Sequence, residues 1–262
     1  MPPAIRVAAL YVHPIKACAP LRVPRLDFRP DGRVLGDREW VVLNDEGVAS
    51  WQGAHPELAL LRPLLDAEEL VLEAPGRAQV RLPRQLRQRS IRAGFWNDKS
   101  CSVDEFEAFD GGDEAAALLS ELCGAPLRLV RLGADAQLRP LNNAVHIVST
   151  PALAEICAGL DARRFRANVV LDGPDLQPFI EERAKAMIWT GGRMEIYAPC
   201  IRCIVPNVDP QTGAVDTRVA ERVAAASAQR QPGAPSVFGV YGRMRAGRSL
   251  EEDAAVELEL DF

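Results

Sequence analysis

The sequence predicts a mainly β chain with a few helices, an α+β architecture. Short apolar–polar alternating runs recur through the first half. Gly, Pro, Asn and Asp turn signals separate them at regular intervals, and helical periodicity is confined to a few stretches. Such spacing argues for a β-barrel or sandwich rather than a parallel sheet. The chain has 262 residues, 48% of them hydrophobic and 26% charged. That is an ordinary globular composition, long enough for one large or two modest cores.

"RVAALYVHPI" reads as a strand that enters a proline break, and "LRVPRLDF" alternates before the Pro30-Asp31-Gly32 turn. "REWVVLN" and "GVASW" flank an Asn44–Gly47 hairpin loop, and "ELVLEA" and "AQVRLP" flank Pro75-Gly76. A helix is predicted over Gly112–Leu122, where Ala115, Leu118, Leu119 and Leu122 share one face. "APLRLVRLG" follows as a strand and "ADAQLRPLNNA" as an extended loop, and the boundary between residues 1–130 and 131–262 is placed near residues 130–143. The second half begins with "VHIVS", then a helix over Thr150–Leu160 with Pro151 in its first turn. "FRANVVLDG" is a strand, "AMIWTGGRMEIYAP" a hairpin, Thr217–Gln229 a helix, and "SVFGVYGRMRAG" and "AAVELELDF" the closing strands.

The net charge of −5 argues against bulk nucleic-acid or anionic-membrane binding, since both need a basic face. "MPPAIRVAALYVHPIKAC" is broken by His13, Pro14 and Lys16, so it reads as a strand and not as a signal peptide. No segment shows the ~18 apolar residues of a membrane span, and the expected compartment is the cytoplasm. Cys18, Cys101, Cys123, Cys157, Cys200 and Cys203 are too sparse for a disulfide scaffold. Cys123 and Cys157, on apolar faces of predicted helices, read as packing residues.

"YAPCIRCIVPNVDPQTG" (197–213) holds two cysteines with Arg202 between them. Structural zinc normally needs two such pairs, and His13, His55 and His146 are not at motif spacing, so zinc is disfavoured for this pair. Two prolines and a turn follow Cys203 where a thioredoxin-like pair would open a helix. A Cys-His hydrolase base cannot be placed from sequence. A thiolate beside an arginine, held in a strand-to-turn segment, suits a soft metal or a metal–sulfur centre.

The string "PCIRCIVPNVDPQTG" resembles the signature of MOSC proteins, named after the C-terminal domain of molybdenum cofactor sulfurase. "YVHPIKAC", "LGDREWVVLNDEG", "RFRANVVLDG" and "FGVYGRMRAG" resemble further MOSC motifs in the expected order, across nearly the whole chain. The similarity is to two-part members, with an N-terminal MOSC β-barrel-like region over 1–130 and a MOSC β-barrel domain over 131–262. The mitochondrial amidoxime-reducing component and bacterial N-hydroxylated-base reductases belong to that group.

The resemblance implies a molybdopterin-type molybdenum cofactor with Cys203 as metal ligand and catalytic residue. It assigns Lys16, Ala17, Arg38, Asn142, Asn143, Arg166, Asn168, Ile201, Arg202 and Tyr241 to cofactor binding. Cys200 is left as a supporting or structural thiol, Asp209 as a turn former ahead of a proton donor, and Arg62, Arg81 and Arg84 as surface charges. Arg166, read as lying in an apolar strand, needs a buried partner. Ala17 and Ile201 stand where the family has serine, and Ala167 where it has proline. Backbone N–H groups at the first two positions can still serve a cofactor.

The implied activity is reduction of N-hydroxylated compounds. No dinucleotide loop, P-loop or four-cysteine iron–sulfur spacing is present, so a separate ferredoxin-like or flavin reductase is expected to supply electrons. The rival from another class is a cofactor carrier or sulfur-handling protein without its own reductase activity. A second rival is a binding module that has lost the cofactor.

Overall fold

The computed structural model describes residues 5–139 and 144–261. Its strands and helices run β1 (Arg6–Val12), β2 (Leu21–Arg22), β3 (Arg25–Asp27), β4 (Trp40–Leu43), β5 (Arg62–Leu65), β6 (Glu69–Glu73), β7 (Val80–Pro83), β8 (Ser90–Asn97), β9 (Ser102–Asp110), α1 (Asp113–Cys123) and β10 (Arg128–Leu132). After these come α2 (Ala134–Gln137), β11 (Val145–Ser149), α3 (Thr150–Ile156), β12 (Val169–Asp172), β13 (Ala184–Trp189), β14 (Gly192–Ile201), α4 (Arg218–Arg230), β15 (Val237–Ala246), β16 (Ser249–Glu251) and β17 (Val256–Leu260). The chain is mainly β with a few helices, as the sequence predicts. No helix among the described residues is long and apolar enough to cross a membrane.

Eight strands form the large sheet, in the order β17-β13-β14-β15-β11-β12-β1-β2. A four-stranded sheet (β4-β10-β9-β8), a three-stranded sheet (β5-β6-β7) and the pair β16-β3 complete the set. Only β11 and β12 pair in parallel among the named strands. A parallel pair needs a long crossover, and α3 with a 3-10 turn over Ala162–Phe165 supplies it. Sheet membership does not follow chain order. β1 pairs with β12, and Val7 N–H donates to Ala254 while Asp253 N–H donates back to Val7, so the amino-terminal strand is built into the sheet of the second half.

Burial explains the run "WVVL" of β4, which is apolar at every position. Trp40 and Val42 face a core with Leu58, Leu70, Leu119 and Leu129, whereas Val41 and Leu43 face a second core with Phe95, Val130 and Leu132. A strand buried on both faces loses the alternation that marks a half-exposed one. Strand β11 does the same. Val145 and Ile147 join the core of the large sheet, and Val148 packs with Phe165, Phe238, Leu153 of α3 and Val223 of α4.

Three expected elements differ in the structure, and one hairpin is additional. The second predicted helix stops at Ile156, because Cys157 is extended (φ −165°) and Gly159 turns with positive φ. Residues 134–137 form the short α2 instead of extended loop. "GVASW" makes only isolated bridges, Val48 to Gly94 and Ala49 to Leu43. The long hairpin β8–β9 pairs Ser90–Asn97 with Ser102–Phe109, a stretch with no turn motif singled out above.

The junction between the sheets is made by residues 13–18 lying against 38–40. Arg38 N–H donates to His13, Lys16 N–H to Trp40, and Trp40 N–H to Pro14. The first segment leaves the large sheet and the second enters the four-stranded one, so side chains at 16 and 38 lie between the two.

Candidate functional site

Cys200 and Cys203 differ in setting. Strand β14 runs antiparallel to β15 with register shifts at Ile196/Ala198 and Pro199/Ile201, and such bulges re-aim side chains at a strand end. Cys200 is buried at 1% exposure. Cys203, just beyond the strand, is exposed. Ile201 and Ile204 are 63% and 50% exposed, which gives the outer sulfur an apolar surround.

Around the inner sulfur the contacts are dense. Arg202 Nη1 donates to Cys200 Sγ at 3.0 Å and Nη2 to the Phe165 carbonyl at 3.3 Å. His146 has both ring nitrogens against carbonyl oxygens, Nδ1 at 3.1 Å from Phe165 and Nε2 at 3.2 Å from Phe238. Tyr241 is the cross-strand neighbour of His146, with ring centroids 5.7 Å apart. Burial opposes ionisation of the Cys200 thiol, but His146, Arg202 and the Tyr241 hydroxyl together pull it below the usual thiol range. Tyr241 is pushed up in turn, by burial and by the neighbouring sulfur.

Near the outer sulfur the charge is positive. The Lys16 ammonium is driven down to about 8 by burial and by repulsion from Arg139, Arg166 and Arg38, against the opposing attraction of Cys203. Burial, then Arg38, lowers Arg166 to about 10, with Arg202 adding to the effect. Lys16 and Arg139 share the Phe95 ring, at 5.7 and 4.1 Å from its centroid. Arg38 forms an ion pair with Asp37. No carboxylate within the described residues lies at ion-pairing distance from Lys16, Arg139, Arg166 or Arg202.

The backbone here is held out of its ordinary range. Ala17 (φ 72°), Arg38 (φ 51°) and Arg166 (φ 55°) are three of the seven described non-glycine residues with positive φ. That conformation costs about 1–2 kcal/mol each and persists where surrounding contacts over-determine it. Arg166 ends the 3-10 turn over Ala162–Phe165 and is not in a strand, which corrects the sequence reading. Its guanidinium donates to the carbonyls of Cys18 (2.5 Å) and Ile15 (3.4 Å).

Asn168 is fully buried. Its Nδ2 donates to Tyr11 O and Asp37 Oδ1, both at 3.1 Å, and its Oδ1 accepts from His146 N at 3.1 Å and from Arg38 Nη1 at 3.5 Å. Asn168 therefore ties β1, β11 and the Arg38 loop together. Asp209 is a turn residue. Its Oδ1 accepts from the N–H groups of Gln211 and Thr212, and its Oδ2 accepts from Arg164 at 2.6 Å. Arg84 is not a free surface charge but lies 3.5 Å from the buried Glu39.

Residues 4–126 match the model of the MOSC N-terminal beta barrel domain, and residues 124–257 match that of the MOSC domain. The chain belongs to the MOSC family. The molybdenum cofactor sulfurase of Homo sapiens is 26% identical over 254 residues, covering 83% of this chain and 28% of the sulfurase. Mitochondrial amidoxime reducing component 2 of Bos taurus is 27% identical over 237 residues, covering 81% of this chain and 69% of that protein. The MOSC chain thus spans less than a third of the human sulfurase. The solved YUAD protein of Bacillus subtilis aligns with TM-score 0.44 at 11% identity, over 98% of this chain and 97% of that one. A solution structure from Bordetella bronchiseptica aligns with TM-score 0.32 at 29% identity, over 38% of this chain and 76% of that one.

Of the MOSC residues assigned from sequence, Lys16, Arg38, Arg166 and Arg202 form one electrostatic cluster with Cys203, and Ala17 and Ile201 adjoin its members in sequence. Asn142 and Asn143 lie outside the described residues. Arg139 and His146 were missed. Arg139 lies within the 134–144 segment that the sequence predicts as extended loop, and no motif marks it. In the sequence His146 is one of three scattered histidines.

The donor set fits a group with a soft metal at one end and a phosphate at the other. It offers an exposed thiol, cations without carboxylates, and a buried Arg202 Nε that has no partner.

Proposed function

We propose that this MOSC chain holds a molybdopterin-type molybdenum cofactor at the sheet junction and acts as a reductase of N-hydroxylated compounds. The observation that carries the reading is the cluster of Arg139 and Arg166 around Lys16, none of them ion-paired among the described residues, with Lys16 in turn near the exposed Cys203. The cofactor would supply the two-electron chemistry that breaks an N–O bond. Cys203 would bind the metal through its sulfur. Lys16, Arg139 and Arg166 would hold the phosphate. Arg202 would fix the strand end through Cys200 and present its free Nε toward the bound group. Ile201 and Ile204 would give substrate an apolar rim. Electrons would come from a separate ferredoxin-like or flavin reductase.

The test is elemental mass spectrometry for molybdenum and assay of released pterin, on protein from a host that makes the cofactor. Turnover of an amidoxime or hydroxylamine with an artificial reductant follows on the same sample. About one metal and one pterin per chain with turnover supports the reading, and absence of both metal and pterin overturns it. A second reading, a cofactor carrier or sulfur-handling role, draws on the similarity to the sulfurases. Pterin retention without turnover would select it.

A further inference from the structure

We propose that His55, Glu57 and Cys123 form a binding site for one divalent transition-metal ion, zinc by the chemistry of its ligands, separate from the Cys203 site. The ligand atoms of the three side chains all lie within 4.8 Å of one another, and all three are half-buried. In a tetrahedral zinc site such atoms stand roughly 3.4–3.8 Å apart. Closing the gap takes about an ångström, within reach of small side-chain rotations. One imidazole, one carboxylate and one thiolate make a set that suits zinc and leaves a fourth position for water.

The set is assembled by the fold, since Cys123 is far from His55 in sequence. His55 precedes a 3-10 helix over Pro56–Leu60, and its side chain makes no capping hydrogen bond. Glu57 lies in the first turn of that helix, and Cys123 is the last residue of α1. The two helices are fixed against each other by Leu58, Leu118 and Leu119, all in one core. The ligands therefore stand on rigid elements, as a preorganised metal site requires.

None of the three side chains forms a hydrogen bond or ion pair among the described residues. The same 3-10 helix supports the segment after Cys203. A Cβ at Gly213 would stand 3.6 Å from Leu60 and 3.7 Å from the Pro56 carbonyl. A bound ion would thus brace the helix on which the turn of Asp209–Gly213 rests, a structural role.

The experiment is a cobalt(II) titration of the full chain carrying Cys203→Ser, which removes the exposed thiol of the other site. The readouts are the thiolate-to-cobalt charge-transfer band, metal content after desalting, and Tm with and without zinc. One ion per chain is expected, with the band bleached by zinc and a zinc-dependent rise in Tm. Cys123→Ser and His55→Ala should each abolish the band, and Glu57→Gln should weaken binding at least tenfold. Circular dichroism checks that each variant is folded. No band at excess cobalt, or a band that persists in both Cys123→Ser and His55→Ala, overturns the proposal.

Discussion

Arg202 Nη1 lies 3.0 Å from Cys200 Sγ, so the arginine between the two cysteines is anchored on the inner one. The inner sulfur belongs to the frame and the outer one is left free for a ligand. Cys203→Ser should therefore remove the molybdenum–thiolate absorption of the loaded protein. Cys200→Ala should keep most of the metal and lose about 1–3 kcal/mol of stability, because Arg202 then loses a buried acceptor. Absorption spectra and thermal melts of the two variants check this. Loss of the metal in Cys200→Ala with retention in Cys203→Ser would reverse the assignment.

The cations near Cys203 carry a prediction for cofactor retention. Lys16→Ala and Arg139→Ala should each weaken pterin retention at least tenfold, about 1.4 kcal/mol per decade, with little change in melting. Arg166→Ala should weaken retention and also destabilise the fold, because it frees the carbonyls of Cys18 and Ile15. Pterin content after dialysis, beside a melt, separates the two effects. Full retention in all three variants would remove the phosphate-anchor reading.

Lys16 also fixes a pH dependence. Its ammonium is lowered from 10.5 to about 8, chiefly by burial and then by Arg139. Between those limits the unfolded chain binds more protons than the folded one, so the metal-free protein should gain stability as pH rises from 8. Anion binding runs the other way, because it needs the charged lysine. Affinity for inorganic phosphate should fall as pH climbs through 8, and Lys16→Met should flatten both profiles. Titration calorimetry and melts across that range test the pair of slopes.

Much of this was legible in the sequence, for identifiable reasons. Cys203, Arg202, Lys16, Arg38 and Arg166 stand in local motifs, so a single-chain reading reaches them. Arg139 stands in none, and it joins the site only because Phe95 offers it a ring face at 4.1 Å. The β6–β7 hairpin is encoded by its Pro75-Gly76 turn, whereas the Asn44–Gly47 turn forms but its second arm bridges to Gly94 and Leu43 instead of making a strand. The entry of β1 into the far sheet depends on pairing with residues of the second half such as Leu171 and Ala254, which no local pattern reports. Likewise His55 and Cys123 each read as isolated residues until α1 meets the 3-10 helix.

Glu181 predicts a second pH effect, on stability alone. Burial raises its carboxyl from 4.5 to about 7, against the hydrogen bond from Ser149 Oγ at 3.0 Å. Its Oε2 is buried without a partner. The folded chain holds a proton that the unfolded chain releases from pH 4.5 upward, so stability should fall as pH rises to 7 and stay lowered above it. The penalty is at most roughly 3 kcal/mol. Glu181→Gln should remove this slope, whatever constant cost its amide adds. Denaturant melts of both proteins across that range measure the difference, and parallel curves would mean that Glu181 is ionised throughout.

Gly239 closes the frame around Cys200 from the far side. It sits in β15 with φ +71°, and a Cβ there would stand 2.4 Å from the Ile147 carbonyl and 2.8 Å from His146 Nε2. Neither neighbour can yield, since Ile147 is in the centre of β11 and His146 is held by two carbonyls. Gly239→Ala should therefore destabilise the protein by about 2–4 kcal/mol, combining left-handed strain with displacement of packed backbone. The displacement should also separate His146 from Cys200 and weaken the hold on the inner thiolate. The rate of alkylation of Cys200 against pH, in Cys203→Ser protein, reads that change. Its midpoint should move upward in the Gly239→Ala variant, and an unmoved midpoint in a destabilised protein would mean that His146 does not set the state of Cys200.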